Sequence, residues 1–140
     1  NNLIMKIYHL FFLLILSACA IKKSHKFQDE INVAPSLWLL VSLDNEEVND
    51  TTITLNFDEE NRINGYSGCN NFFASYSQNK DSLRIEKIGA TKKFCPHVSA
   101  LETLYLSSLE RVVTFYYSDK NKMQLILVTD KNEKIVFIRK

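Results

Sequence analysis

Apolar and polar positions alternate along most of the chain after residue 36, and this alternation predicts β-strands. In residues 51–57, for example, Ile53, Leu55 and Phe57 fall on one face of an extended chain. Short polar stretches such as residues 58–61 separate the strand-like segments and predict turns between antiparallel neighbours. The predicted strands are residues 37–43, 51–57, 62–68, 71–77, 82–90, 112–118, 123–129 and 134–140.

The hydrophobic period changes once, after residue 97. From Val98 onwards the apolar residues follow helical spacing, which predicts one helix over about residues 98–111. Ser99 and Glu102 match a capping box, in which a hydroxyl and a carboxylate bond free N–H groups at the helix start. The element order predicts an α+β fold, mostly antiparallel β, as a curved sheet or small barrel packed on a single helix.

The first 19 residues predict a signal peptide. Lys6 precedes an apolar run over residues 7–16, which is too short to span a bilayer and has the length of a signal-peptide core. A buried N-terminal helix of the domain is the alternative. The sequence LSAC, ending at Cys19, resembles the bacterial lipobox. That resemblance implies cleavage before Cys19 and a diacylglycerol on its thiol, and thus a membrane partner through a lipid anchor. Ala20, where an aspartate would favour the inner membrane, favours the outer membrane of the cell envelope.

Residues 20–36 are polar and predict a tether, which leaves residues 37–140 as the folded domain. The whole chain has 17 basic and 16 acidic residues, and removal of the leader with Lys6 brings its net charge to zero. Because neutralising phosphates supplies most of the affinity for nucleic acids, this charge argues against a nucleic-acid partner.

Two cysteines, Cys69 and Cys95, fall within the predicted domain. In an oxidising compartment we expect them to form a disulfide. Three alternatives use His97: a partial zinc site with both cysteines, a nucleophilic Cys69 activated by the histidine, and a triad of Ser67, His97 and an acidic residue. The zinc alternative has three candidate ligands where a structural site wants four. We favour the disulfide, and we expect no metal, no cofactor and no catalytic residue.

The stretch GYSGCNN, residues 65–71, has the composition of a sharp bend between two strands. Gly65 and Gly68 permit a close backbone approach or a positive φ, and Asn70 favours turns. With a disulfide, Cys69 would tie this bend to the chain just before the helix.

Three motifs, in the order in which they occur, resemble the META domain, also called HslJ-like. They are GYSGCNNFFASYS, LRIEKIGATKKFC and LETLYLSSLERV. The resemblance covers about residues 37–139. It departs from the family pattern at Ala74 and at KKF before Cys95. The residues that carry it are Gly65, Gly68, Cys69, Asn70, Phe72, Tyr76, Thr91, Cys95, Glu102, Leu106 and Leu109.

The resemblance implies a compact, mostly antiparallel β fold around one helix, in an envelope or secreted protein. Members of the family are linked to stress tolerance, and none of those links defines an enzymatic activity. We therefore expect a non-catalytic binding or scaffolding module with an envelope protein as partner. The alternative is a carrier of an apolar small molecule in a pocket between sheet and helix. The adjacent aromatics Phe72 and Phe73, and Tyr116 with its neighbours, are candidates for an exposed contact, unless the helix covers them.

Overall fold

Nine strands and one helix make up the part of the chain that the computed structural model describes, namely residue 33 and residues 35–49 and 52–140. The predicted signal peptide, Cys19 and all but the end of the predicted tether lie outside the described residues. The helix α1 spans Ser99–Glu110. The strands are β1 (Ser36–Leu43), β2 (Glu46–Glu47), β3 (Thr54–Phe57), β4 (Arg62–Tyr66), β5 (Asn71–Asn79), β6 (Ser82–Ala90), β7 (Val112–Tyr117), β8 (Gln124–Thr129) and β9 (Lys134–Arg139).

Eight of these strands close into an antiparallel barrel in the order β1, β3, β4, β5, β6, β7, β8, β9. The closing ladder joins β1 to β9, with Trp38 opposite Arg139 and Leu43 opposite Ile135. The short β2 pairs only with the end of β1 and is an extra strand outside the ring. The predicted fold class, mostly antiparallel β packed on one helix, is confirmed.

The shortest strand pairing in the barrel is between β6 and β7, the two strands that the helical segment connects. Their ladder consists of Ser82 opposite Thr114. It is reinforced because Phe115 N and Thr114 Oγ1 both donate to the Asp81 carbonyl, at 3.0 and 2.7 Å. Helix α1 contacts β6 on this side, and its Tyr105 reaches the barrel core.

Large side chains fill the interior of the barrel. Tyr105 is 0% exposed and meets the rings of Phe72 and Phe137 at centroid distances of 5.8 and 6.3 Å. Edge-on aromatic contacts of this kind stabilise a core beyond the burial of their area. The largest fully buried side chains belong to Trp38, Tyr105, Phe57, Phe115, Phe137, Leu40, Ile53, Leu55, Ile63, Leu83, Leu109 and Leu125.

The core also reaches further towards the N-terminus than the predicted domain start at residue 37. Val33 is 2% exposed and belongs to the same hydrophobic cluster. Its backbone N–H donates to Gln78 Oε1 at 3.1 Å. The barrel and its whole described core therefore lie between residues 33 and 140.

The predicted strands are all present, with bounds that differ by up to three residues, and β2 was not predicted. The predicted capping box at the helix start is wrong. Val98 is the N-cap and provides no side-chain cap, and Ser99 Oγ lies 3.5 Å from the Pro96 carbonyl instead. The carboxylate of Glu102 does not turn back to the helix start, because donors on the β4–β5 bend bind it more favourably.

Candidate functional site

The bend between β4 and β5, residues 67–70, is the place where the motif residues gather. Gly65, at the end of β4, is required by a close approach. A Cβ atom there would lie 2.1 Å from the Thr54 carbonyl oxygen and 2.7 Å from the Phe72 ring. Gly68 adopts a φ of 98°, in a region that residues with a side chain rarely enter. Gly65 is thus required because there is no space for a side chain, and Gly68 because of its backbone conformation.

A disulfide joins this bend to the segment before the helix. Cys69 and Cys95 are bonded, with their Cα atoms 6.0 Å apart and 26 residues between them in sequence. Cys69 is 1% exposed. Both sulfurs are therefore part of the framework, as the sequence led us to expect.

The side chain of Asn70 connects the bend to the loop that follows β6. Its Oδ1 accepts hydrogen bonds from Thr91 Oγ1 at 2.7 Å and from the Lys93 backbone N–H at 2.8 Å. Its Nδ2 donates to the Lys93 carbonyl at 3.2 Å. Because Asn70 is buried, with 5% exposure, these bonds satisfy polar atoms that water does not reach freely.

Glu102 on α1 completes the network from the other side. Its Oε1 accepts a hydrogen bond from the Asn70 backbone N–H at 3.0 Å, and its Oε2 accepts one from Asn70 Nδ2 at 3.0 Å. The hydroxyl of buried Ser67 also contacts Glu102 Oε1. The carboxylate thereby locks the helix onto the bend, next to the disulfide. We refer to Ser67, Asn70, Glu102 and the two cysteines as the clamp.

Two tyrosines near the core are held in their neutral, hydrogen-bonding form. Burial raises the pKa of Tyr105, whose Oη lies 3.5 Å from the Thr54 carbonyl. Burial, and then the negative charge of Asp58, raise the pKa of Tyr76, which donates to the Asp58 carbonyl at 3.2 Å. Both phenols therefore serve as donors that anchor strand ends.

The alternatives to the disulfide all use His97, which is not a member of the clamp. His97 is exposed in the turn before α1, and the sulfur of Cys69 is bonded to Cys95. Within the residues that the structure describes, no group of three or more His, Cys, Asp or Glu side chains is arranged to hold a metal ion. What the motif residues build is a polar clamp between bend, loop and helix.

Exposed aromatics are present on the barrel surface. Phe72 is buried, whereas its neighbour Phe73 is 63% exposed on the outside of β5. Tyr116, on β7, is 38% exposed. The sequence left open which member of each pair faces outward, and alternation along the strands assigns Phe73 and Tyr116 to the surface.

A groove of about 310 Å³ lies between α1 and the β1–β2 hairpin. Apolar side chains of Leu43, Val48, Leu101 and Leu104 form part of its lining. The hairpin adds three acidic residues along its edge, Asp44, Glu46 and Glu47. This groove is the feature that corresponds to the expected pocket between sheet and helix.

Sequence reasoning missed two sets of residues. The hydrogen-bond partners of Glu102, Asn70 and Ser67, lie 32 and 35 positions earlier in the chain, and no local sequence pattern predicts these contacts. The apolar positions on the outside of β1, β8 and β9 did leave a signal. Residues 37–41 and 125–128 are apolar without interruption, which is typical of strands with apolar side chains on both faces.

The architecture defines a class of small closed β-barrels in which one helix is bound to a disulfide-braced bend. The chain belongs to the META domain family, whose model matches residues 32–140. No curated protein matches the sequence. Within the described residues, no helix has the length and apolar character needed to cross a membrane.

Solved structures share this fold at low sequence identity. The NMR structure of a protein from Burkholderia xenovorans aligns with a TM-score of 0.62 and 23% identity, covering 76% of this chain and 82% of that one. The crystal structure of a DUF4847 family protein from Bacteroides vulgatus ATCC 8482 aligns with a TM-score of 0.57 and 12% identity, covering 75% and 92% of the two chains. At these identities the similarity shows the fold alone.

Proposed function

We propose that this META domain protein is a non-catalytic binding or scaffolding module of the bacterial cell envelope, held to a membrane by acyl chains on Cys19. The observation that carries the proposal is how the motif residues are used. Asn70, Glu102 and the two domain cysteines are bonded to one another and brace the fold. Outward-facing aromatic side chains, by contrast, remain available for contact with a partner.

The lipid anchor is supported by the sequence LSAC behind an apolar run of signal-peptide length. Two or more acyl chains give stable membrane anchoring, whereas one chain gives marginal binding. Ala20 supports sorting to the outer membrane, and the family resemblance supports a link to envelope stress tolerance. An attached domain of this kind would act by bringing a partner to the membrane surface.

Metabolic labelling with an alkyne fatty acid tests the anchor. We expect the wild-type protein to carry the label and to fractionate with the outer membrane. Cys19→Ser should lose both properties, whereas the matched control Cys69→Ser should keep the label. An unlabelled wild-type protein would refute the lipid anchor.

The binding role is tested by crosslinking mass spectrometry in intact cells. We compare the wild type with Phe73→Ser, which removes the most exposed ring on the described strands, and with Asn64→Ser, a polar change on neighbouring β4. We expect Phe73→Ser to lose crosslinked partners that Asn64→Ser keeps. Identical partner sets in all three proteins would refute a role for this aromatic residue.

The groove between α1 and the β1–β2 hairpin favours a second function, the carriage of an apolar small molecule. Its volume of about 310 Å³ lies at the lower end of the range for ligand sites. The acidic edge would favour a neutral or cationic ligand. Solvent extraction and mass spectrometry of the purified protein should then recover a bound molecule. Val48→Trp, which fills the groove, should abolish that recovery, and its survival in this variant would refute the carrier function.

A further inference from the structure

The outer surface of the barrel is divided into a polar side and an apolar side. On β4, β5 and β6 the exposed positions are mostly polar or charged, for example Arg62, Asn64, Ser77 and Arg84. On the strands that close the barrel, the inward residues such as Leu127 are fully buried. Many of the alternate, outward residues are apolar as well, and the polar residues Ser42, Thr114, Gln124 and Lys134 share the outside with them. This side of the cylinder therefore has hydrophobic side chains on its outer as well as its inner surface.

The strand registers show that these outward residues are contiguous. Leu39 on β1 lies opposite Ile138 on β9. One row along, Val136 on β9 lies opposite Ile126 on β8, which in turn lies opposite Tyr116 on β7. We define the apolar outer face as Leu39, Tyr116, Ile126, Val128, Val136 and Ile138.

The exposure of this face differs across its area. Ile138 and Tyr116 are 40% and 38% exposed, and Leu37 beside it is 39% exposed. Ile126, between Tyr116 and Val136, keeps 8% exposure. Apolar side chains that adjoin one another across four strands differ from the singly scattered apolar residues of an ordinary soluble surface, and we interpret them as a candidate contact site.

Strands β7 to β9, which carry most of the apolar outer face, have an excess of basic residues, whereas the β1–β2 hairpin next to Lys134 adds the acidic residues Asp44, Glu46 and Glu47. Residues 112–140 contain six basic and three acidic residues, whereas the described residues before them contain seven basic and ten acidic residues. Two of the three acidic residues in 112–140 are already bound. Asp119 accepts the backbone N–H groups of its own turn, and Glu133 pairs with Arg111. The exposed lysines lie at both ends of the face, at Lys120, Lys131, Lys134 and Lys140.

We propose that the apolar outer face docks onto the surface of an anionic phospholipid bilayer. An apolar centre seats among the acyl chains at the boundary with the headgroups, and the lysines at its ends pair with the phosphates. A second copy of this chain is a poorer occupant, because two faces with the same basic border would repel each other. The domain would then lie flat on the membrane rather than hang from a tether.

Cosedimentation with vesicles tests this docking on a purified chain of residues 32–140, which contains the complete barrel and its described core. This chain lacks Cys19, so its result is independent of the proposed lipid anchor. The vesicles are phosphatidylcholine alone, or phosphatidylcholine with about 30% phosphatidylglycerol. We expect binding to the anionic vesicles that weakens as salt is raised, with much weaker binding to the neutral ones.

The decisive variant is Tyr116→Glu/Ile138→Glu, which places two charges on the face. Its matched control, Asn64→Glu/Ser77→Glu, makes the same change in net charge on the polar side. We expect the face variant to lose at least tenfold in partitioning to anionic vesicles and the control to lose less than threefold. Thermal unfolding of both variants verifies that they fold.

A second variant, Lys131→Glu/Lys134→Glu, changes only exposed lysines at the border and leaves the apolar residues intact. It should also lose at least tenfold on anionic vesicles. The proposal is overturned if the wild-type chain does not bind anionic vesicles, or if the face variant and its control bind alike. It is also overturned if gel filtration shows a dimer that the face variant dissociates, because the face would then join two copies.

Discussion

Replacement of Glu102 on α1 is the sharpest test of how this fold is held together. The Glu102 carboxylate accepts two hydrogen bonds of 3.0 Å from Asn70 and contacts the hydroxyl of Ser67. In Glu102→Ala, the buried backbone N–H of Asn70 and its side-chain Nδ2 lose this partner. We expect the helix to be held less firmly on the bend, although the disulfide remains.

The magnitude follows from the number and environment of these bonds. A hydrogen bond to a charged acceptor contributes about 1.5–3 kcal/mol, and an unpaired buried donor costs about 1–3 kcal/mol. Glu102 is half-buried, so water replaces part of what is lost. We therefore expect Glu102→Ala to lower the free energy of unfolding by about 2–3 kcal/mol, or to lower Tm by roughly 10–15 °C in a domain of this size.

Glu102→Gln should lie between the wild type and the alanine variant. It keeps one oxygen for the Asn70 backbone N–H but places an amide nitrogen opposite Asn70 Nδ2, so that one donor faces another. We expect a loss of about 1–2 kcal/mol.

The assay is urea unfolding of the oxidised protein, followed by circular dichroism. Glu110→Ala is the matched control, because Glu110 is exposed at the end of the same helix. It should change stability by less than about 0.5 kcal/mol. The reasoning is refuted if Glu102→Ala and Glu110→Ala unfold at the same urea concentration.

Three further predictions concern the framework. Reduction of the bond between Cys69 and Cys95, or its removal by a double substitution to alanine, should cost roughly 3.5 kcal/mol in the chain-entropy treatment, and equal melting of the oxidised and reduced protein would contradict this. Gly65→Ala should prevent stable folding, because its Cβ would lie 2.1 Å from a backbone carbonyl oxygen. The control Gly89→Ala meets only an exposed phenylalanine ring and should lower the free energy of unfolding by less than about 1 kcal/mol. Similar melting temperatures for the two variants would disprove the steric argument. Hydrogen bonds from backbone N–H groups of its turn lower the pKa of Asp119 below its ordinary value of 3.8. The ionised carboxylate therefore stabilises the fold fully above the ordinary pKa, and this contribution is lost as pH falls through the lowered pKa. Asp119→Asn should make stability less dependent on pH in the acidic range, and an unchanged dependence would contradict this.

The accuracy of the sequence-based predictions depends on whether the interacting residues are close together or far apart in the sequence. Strands and turns follow local rules, so alternation and polar turns locate them to within a few residues. β2 was not predicted because Glu46 and Glu47 show no apolar pattern. Asp44 and Asn45 adopt positive φ angles in its hairpin turn, as these residue types often do, but a turn signal alone does not predict a strand of two charged residues.

The helix start shows how a local rule fails. Ser99 and Glu102 have the spacing of a capping box, yet the carboxylate bonds Asn70, which lies 32 residues earlier. Three donors on the bend outweigh a single free N–H at the helix start. Pairing of the first strand with the last is likewise non-local, which is why the sequence left a curved sheet and a closed barrel as equal alternatives.

The β1–β9 ladder has a consequence for the order of events during synthesis. Trp38 pairs with Arg139, roughly a hundred positions later, so the ring cannot shut until the last strand has left the ribosome. Up to that moment β1 and β8 present bare edges to other chains, the situation in which nascent polypeptides stick to one another. The same delay would keep the chain unfolded for the export across a membrane that we propose.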